Sequence, residues 1–158
     1  MEFKVLIVED DEAVAQAAAV KLRGCGLEVK VINRGDEAIP TMKEWLPHVV
    51  VLDLNLPGKS GIEISQQMRL EPLLKNIIKI SNSTHMEPDG SLGAFYYGES
   101  VQAEGQEPVM INKLKPTDGI FNDLTAAVGI LIGEKYQTIP KKMGEYLEKI
   151  KKRGKEWG

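Results

Sequence analysis

Short apolar runs alternate with amphipathic stretches along most of the chain. Residues 3–8 are apolar apart from Lys4 and rich in β-branched side chains, which predicts a buried first strand ending at Glu9, Asp10, Asp11 and Glu12. Asp11 or Glu12 can cap the helix that follows, roughly residues 13–23, whose alanines suit close packing on a sheet and which stops at Gly24-Cys25-Gly26. Residues 27–32 alternate and then turn apolar, as an edge strand with one partly wet face does. Asn33-Arg34-Gly35-Asp36 supplies a turn and a helix cap. The next helix, residues 37–45, carries Pro40, which fits only in a first turn, so a late start or a distortion is predicted there. Residues 49–53 read Val-Val-Val-Leu-Asp, a strand buried on both faces that stops at an acid and runs into the turn chemistry of Leu56-Pro57-Gly58.

The second half is less regular. Ser60 or Gly61 opens a helix with Ile62, Ile64, Met68 and Leu70 as its apolar positions, closed by Pro72. Residues 77–80 predict a short fourth strand ending in Ser81-Asn82-Ser83-Thr84. From residue 86 to 108 the pattern is broken by Gly90, Gly93, Gly98 and Gly105, and Phe95-Tyr96-Tyr97 is its one strong apolar feature, so any helix there is short and poor. Residues 109–113 predict a fifth strand ending at Lys113. A helix with Ile120, Phe121, Leu124, Val128, Leu131 and Ile132 on a wide apolar face follows, and a last helix within residues 138–155 has Met143, Leu147 and Ile150 on one side and lysines on the other.

Five strands alternating with helices predict an α/β domain with a doubly wound parallel sheet, because parallel strands need crossover helices. The C-terminal strand ends then face one crevice, where ligands of such sheets bind. That crevice is expected to hold Glu9, Asp10, Asp53, Ser81 and Lys113. For Asp53 alone, turn capping explains the residue equally well. Three carboxylates together repel unless a cation sits among them, and an all-oxygen site with open positions suits magnesium, which takes phosphate oxygens readily. A nearby lysine and hydroxyl suit the remaining oxygens of a phosphoryl group.

Composition narrows the function classes. The 158 residues fit one domain plus a short extension, and 27% charged with 42% apolar residues is ordinary for a soluble globular chain. Net charge is −3, but residues 141–158 carry seven bases and three acids, a net +4 that leaves −7 for residues 1–140. No nucleic-acid affinity is expected for the whole. The N-terminus reads as a strand rather than a signal peptide and no apolar run is long enough to span a bilayer, so a cytoplasmic protein with no stable membrane insertion is expected. Cys25 has no partner for an intramolecular disulfide, and His48 and His85 give no zinc spacing.

Val8-Glu9-Asp10-Asp11 after the first strand, the run from Leu52 to Gly61 after the third, and a serine and a lysine after the fourth and fifth together resemble a response-regulator receiver domain over about residues 3–133. Any one of these pieces is weak; their joint order is specific. The resemblance implies a flavodoxin-like sheet of order 2-1-3-4-5, a receiver over residues 1–135 and a basic helical extension over 136–158. It implies that Asp53 accepts a phosphoryl group from a sensor histidine kinase or a phosphotransfer protein. Glu9, Asp10 and Asp53 would hold Mg2+ with the Asn55 backbone carbonyl, while Ser81 and Lys113 grip the phosphoryl group. Such a domain is a switch and not an enzyme, although it assists its own phosphorylation and dephosphorylation. No DNA-binding segment is read after it, so the expected output is a protein partner or self-association.

The family pattern is departed from at three places. Asn82 follows Ser81 where a small residue is usual, the segment from Ser81 to Lys113 is long and glycine-interrupted, and Met110 replaces the usual aromatic of strand five. A phosphorylation-independent pseudo-receiver therefore stands as the alternative. A hydrolase of the haloacid-dehalogenase type is disfavoured, because its second acid would fall at Asn55. Lys115-Pro116 copies the family's lysine-proline pair, but placing Lys115 at the strand end would bury Asn112 and Lys113. Lys113 also lies seven and eleven residues before Ile120 and Leu124, the family's apolar register, so it is the favoured phosphate ligand.

Overall fold

The computed structural model describes residues 2–53, 56–86, 92–97, 100–101, 109–110 and 124–157. Four parallel strands lie at its centre: β1 (Lys4–Val8), β2 (Glu28–Ile32), β3 (Val49–Asp53) and β4 (Ile78–Met86). They run in the order β2-β1-β3-β4, with Val5 opposite Val29 and Val49, and Val49 opposite Ile78. The continuous apolar runs have the expected cause, since alternate residues enter two different cores. Val5, Ile7, Val49, Val51, Ile78 and Ile80 face one of them, and Leu6, Val8, Val50 and Leu52 face the other.

Helices cover both faces. α1 (Glu12–Gly24) packs Ala15, Ala19 and Leu22 into the first core, and the Asp11 carboxylate caps it by accepting from the Val14 amide at 3.2 Å. On the other face lie α2 (Ala38–Trp45), with Ala38 and Met42, and α3 (Gly61–Leu70), with Ile64 and Met68. The distortion expected near Pro40 takes the form of a 3-10 turn over Gly35–Glu37, after which α2 starts at Ala38 and leaves Pro40 in its first turn, where no amide donor is needed. Ser60 caps α3 by accepting from the Glu63 amide at 3.2 Å.

Beyond Ile80 the expectation needs correction. β4 does not stop before Ser81 but runs to Met86, and β5 (Leu92–Tyr97), which contains the aromatic trio, pairs with it antiparallel, Ser81 opposite Tyr97. The fifth strand of the sheet is therefore the antiparallel β5; of the residues expected to form it, Val109 and Met110 pair elsewhere and 111–113 lie outside the described residues. β7 (Val109–Met110) pairs antiparallel with β6 (Ser100–Val101) in a separate two-stranded sheet. A hairpin needs only a short connection, here residues 87–91, and Phe95, Tyr96 and Tyr97 are good strand formers, so this segment can take the edge beside β4 without a crossover.

α4 (Leu124–Tyr136) buries Ala127, Val128, Leu131 and Ile132 in the first core and continues past Gly133. α5 (Lys141–Trp157) follows, with Met143 fully buried in the same core and Tyr146 and Leu147 packed against it. Among the described residues no helix is long and apolar enough to cross a membrane.

Two features mark the edge of the sheet where β1 and β3 begin. The Trp45 ring lies under the Lys4 and Lys30 ammonium groups, 5.5 and 5.0 Å from its centroid, and Lys4 Nζ donates to the Trp45 carbonyl at 3.3 Å. Beside it, His48 Nδ1 accepts from the Lys4 amide at 3.0 Å, and its ring lies against Phe3 at 5.2 Å and Tyr136 at 5.5 Å. Burial, then the positive charges of Lys4 and Lys135, lowers the His48 pKa below its ordinary 6.5. A base held below its unfolded value contributes stability that is present above pH 6.5 and lost as the pH falls through the lowered folded value. The melting temperature of the wild type is expected to fall across that acidic window more steeply than that of His48→Gln; parallel curves would contradict the assignment.

Candidate metal centre

The acids are brought together by strand register. Val8 lies opposite Leu52, so the next residues, Glu9 and Asp53, leave adjacent strands at the same edge. The Glu9 amide extends the β1–β2 ladder by donating to the Ile32 carbonyl at 3.0 Å, and Asn33 Nδ2 donates to the Glu9 carbonyl at 3.0 Å. Asp10 is exposed and Asp53 half-buried, whereas Glu9 is only 8% exposed. One carboxylate oxygen of each lies within 4.8 Å of the others, the one metal-sized group of acids among the described residues.

Glu9 carries the electrostatic cost of this arrangement. Burial first, then a hydrogen bond with the Asp53 carboxyl and its negative charge, then the same two effects from Asp10, push its pKa to about 8. Its Oε2 is buried with no hydrogen-bond partner. A buried carboxylate oxygen beside two further acids is costly unless a cation takes the place of the missing donors. The donor set is all oxygen, open to solvent on the Asp10 side, and fits a hard divalent cation such as magnesium.

The other expected site residues are placed as follows. Ser81 is the fourth residue of β4, its backbone opposite Leu52 on one side and Tyr97 on the other, and Asn82 is the residue opposite Asp53. Ser81 thus neighbours the acid-bearing strand but does not end its own. Asn55, Lys113 and Lys115 lie outside the described residues. Sequence reasoning passed over Asn33 and Gly35, read only as turn and cap. The signal that could have found them is position, since the turn after β2 opens at the same sheet edge as the acids.

Comparison with known proteins agrees with this geometry. The family described as response regulator receiver domain matches residues 5–93, more than half of the chain though a shorter span than the motifs suggested. Over 69 residues the chain is 44% identical to the phosphate regulon transcriptional regulatory protein PhoB of Rhizobium meliloti, a stretch covering 44% of this chain and 30% of PhoB. It is 37% identical over 71 residues to the DNA-binding response regulator MtrA of Mycolicibacterium smegmatis, covering 45% and 31% of the two chains. The matched stretch thus spans about a third of the length of these curated relatives. Among solved structures, the chemotaxis response regulator CheY4 of Vibrio cholerae superposes with a TM-score of 0.52 at 26% identity, over 56% of this chain and 74% of that one. The receiver domain of a DNA-binding response regulator from Colwellia psychrerythraea does so at 0.51 and 28%, over 56% and 73%. The flavodoxin-like parallel sheet, the acid cluster at its edge and the family match converge: this chain belongs to the response-regulator receiver domain family of two-component signalling.

Proposed function

We propose that the chain is a cytoplasmic phosphoacceptor switch in a phosphorelay, in which Asp53 takes a phosphoryl group from the phosphohistidine of a sensor histidine kinase or a phosphotransfer protein. The gathering of Glu9, Asp10 and Asp53 carries this reading. An Asp53 oxygen attacks phosphorus, the bond from phosphorus to the donor imidazole breaks, the imidazole nitrogen keeps the electron pair, and an acyl phosphate remains. Magnesium, held by Glu9, Asp10, Asp53 and the Asn55 carbonyl, would neutralise the charge that develops on the phosphoryl oxygens. Glu9 must give up its proton for the three acids to act as ligands, so metal binding releases that proton and strengthens as the pH rises toward about 8. Ser81 and Lys113 are assigned to the phosphoryl oxygens, and water attack in the same pocket returns Asp53 to its free form.

The receiver unit takes residues 1–135, with 136–158 a basic helical extension, and a protein partner or a second copy, not nucleic acid, reads the phosphorylated surface. The curated relatives, a transcriptional regulatory protein and a DNA-binding response regulator, extend over lengths this chain does not span, so their output is not transferred. A phosphorylation-independent interaction module is the second reading, favoured by one observation: the Ser81 backbone is paired within a continuing strand instead of opening a loop free to move.

Acetyl phosphate with magnesium separates the two. One phosphoryl group is expected on the wild type by intact mass and none on Asp53→Asn. Labelling that survives the substitution would refute the site, and an unlabelled wild type that binds magnesium would favour the second reading.

A further inference from the structure

The turn after β2 touches both loops that carry the acids. Asn33 reaches the loop after β1 through its donation to the Glu9 carbonyl at 3.0 Å. Gly35, buried, donates its amide to the Pro57 carbonyl at 3.1 Å in the loop after β3, and a Cβ on Gly35 would overlap the Lys59 carbonyl. The contact continues on the next residue. Gly58 takes a φ of +86°, and a Cβ there would lie 2.8 Å from Asp36 Oδ1 and 3.3 Å from Arg34 Nη2. Arg34 and Asp36 are themselves paired at 3.0 Å, which fixes the wall that Gly58 lies against. At its far end the β3 loop is anchored on α3, through Lys59 Nζ to Gln67 Oε1 at 2.6 Å and the Ser60 cap.

A physical reason for such a device lies in the acids themselves. Three ionised carboxylates with oxygens within 4.8 Å, the state that metal binding requires, repel, and the repulsion works against the approach of the ends of β1 and β3 that the turn joins. Outer-shell groups that orient metal ligands typically cost about 10–100-fold in metal affinity when they are removed. The geometry points to Asn33 and Gly35 as positioning residues: the turn of residues 33–36 staples the loop after Glu9 to the loop after Asp53 and so presets the spacing of the metal ligands. This rests on the reading of Glu9, Asp10 and Asp53 as a metal site.

The test uses Asn33→Ala and Gly35→Ala beside two controls. Gly24→Ala adds a Cβ where nothing lies within 4 Å, and Met143→Ala removes a fully buried side chain remote from the turn. Magnesium affinity by calorimetry well below each melting temperature, and amide exchange of residues 9–11 and 56–60 without metal, are the readouts. Both turn variants are expected to bind magnesium about 10–100-fold more weakly and to exchange faster in those two loops. Met143→Ala is expected to melt earlier with affinity unchanged, the behaviour that the turn variants would share if the turn had a merely structural role. Wild-type affinity in Asn33→Ala, with or without faster exchange, would overturn the proposal, and that variant decides it if Gly35→Ala fails to fold. If the wild type binds no magnesium, the metal reading fails separately, and loop exchange alone decides whether the turn holds the two loops.

Discussion

Glu9→Gln combined with Asp10→Asn is expected to abolish magnesium-dependent phosphorylation of Asp53 and, in metal-free protein, to raise the melting temperature. Both effects come from one cluster. Glu9 is 8% exposed, its Oε2 lacks a partner, and its pKa is pushed up to about 8 from an ordinary 4.5. A raised carboxyl contributes stability in full below about pH 4.5, where folded and unfolded chains both carry the proton, and that contribution is lost as the pH rises through about 8. Glutamine has nothing to lose over this range. The stability gap between variant and wild type should therefore widen from acidic to alkaline pH when calorimetric melts are compared without metal. Magnesium reverses the ranking, because ligand at a hundredfold excess over Kd stabilises the wild type by about 2.7 kcal/mol and the variant not at all. A variant that is less stable than wild type without metal at alkaline pH, and is phosphorylated normally, would contradict both halves.

Met143→Ala is expected to cost about 2–5 kcal/mol, the range for truncating a long buried side chain to alanine. Met143 of α5 is fully buried, and it lies so close to α4 that a Cβ on Gly129 would stand 2.6 Å from its sulfur and 2.8 Å from its Cγ. The surrounding Val128, Leu131 and Ile132 belong to the same core as the centre of the sheet, so the cavity opens into the main core and not at a surface. Urea denaturation of Met143→Ala beside Lys151→Ala, which alters an exposed lysine of the same helix, measures this directly. A loss under about 0.5 kcal/mol for Met143→Ala would mean that α5 is a solvated tail.

The first half of the fold was legible because strand burial on two faces leaves continuous apolar runs, as in residues 49–52, and because caps and stops such as Asp11, Ser60 and Gly26 act locally. Pro40 foretold a late start or distortion of α2 for the same reason, and the helix begins at Ala38 after a 3-10 turn. The path of the chain after Ile80 was not legible. Ser81-Asn82-Ser83-Thr84 has the composition of a loop, and pairing with β3 at Ser81 and Asn82 and with Leu92–Tyr97 along its whole length makes it strand, interactions that no local periodicity records. At the site, Glu9, Asp10 and Asp53 could be read from strand ends alone. Asn33 and Gly35 could not, since their contacts are made to backbone atoms of loops far away in sequence.

The placement of Trp45 decides what the protein's fluorescence can report. The chain has two tryptophans, and this one sits beneath Lys4 and Lys30 at the sheet edge where β1 begins, with the five residues of that strand between it and the acids. At about 3.3 Å per residue the strand separates probe from ligand by roughly 16 Å, beyond the reach of direct quenching or a change of local polarity. Emission from Trp45 then follows unfolding faithfully and stays indifferent to ions arriving at the opposite rim. Any optical response of that ring to phosphorylation would be a signal carried through the sheet.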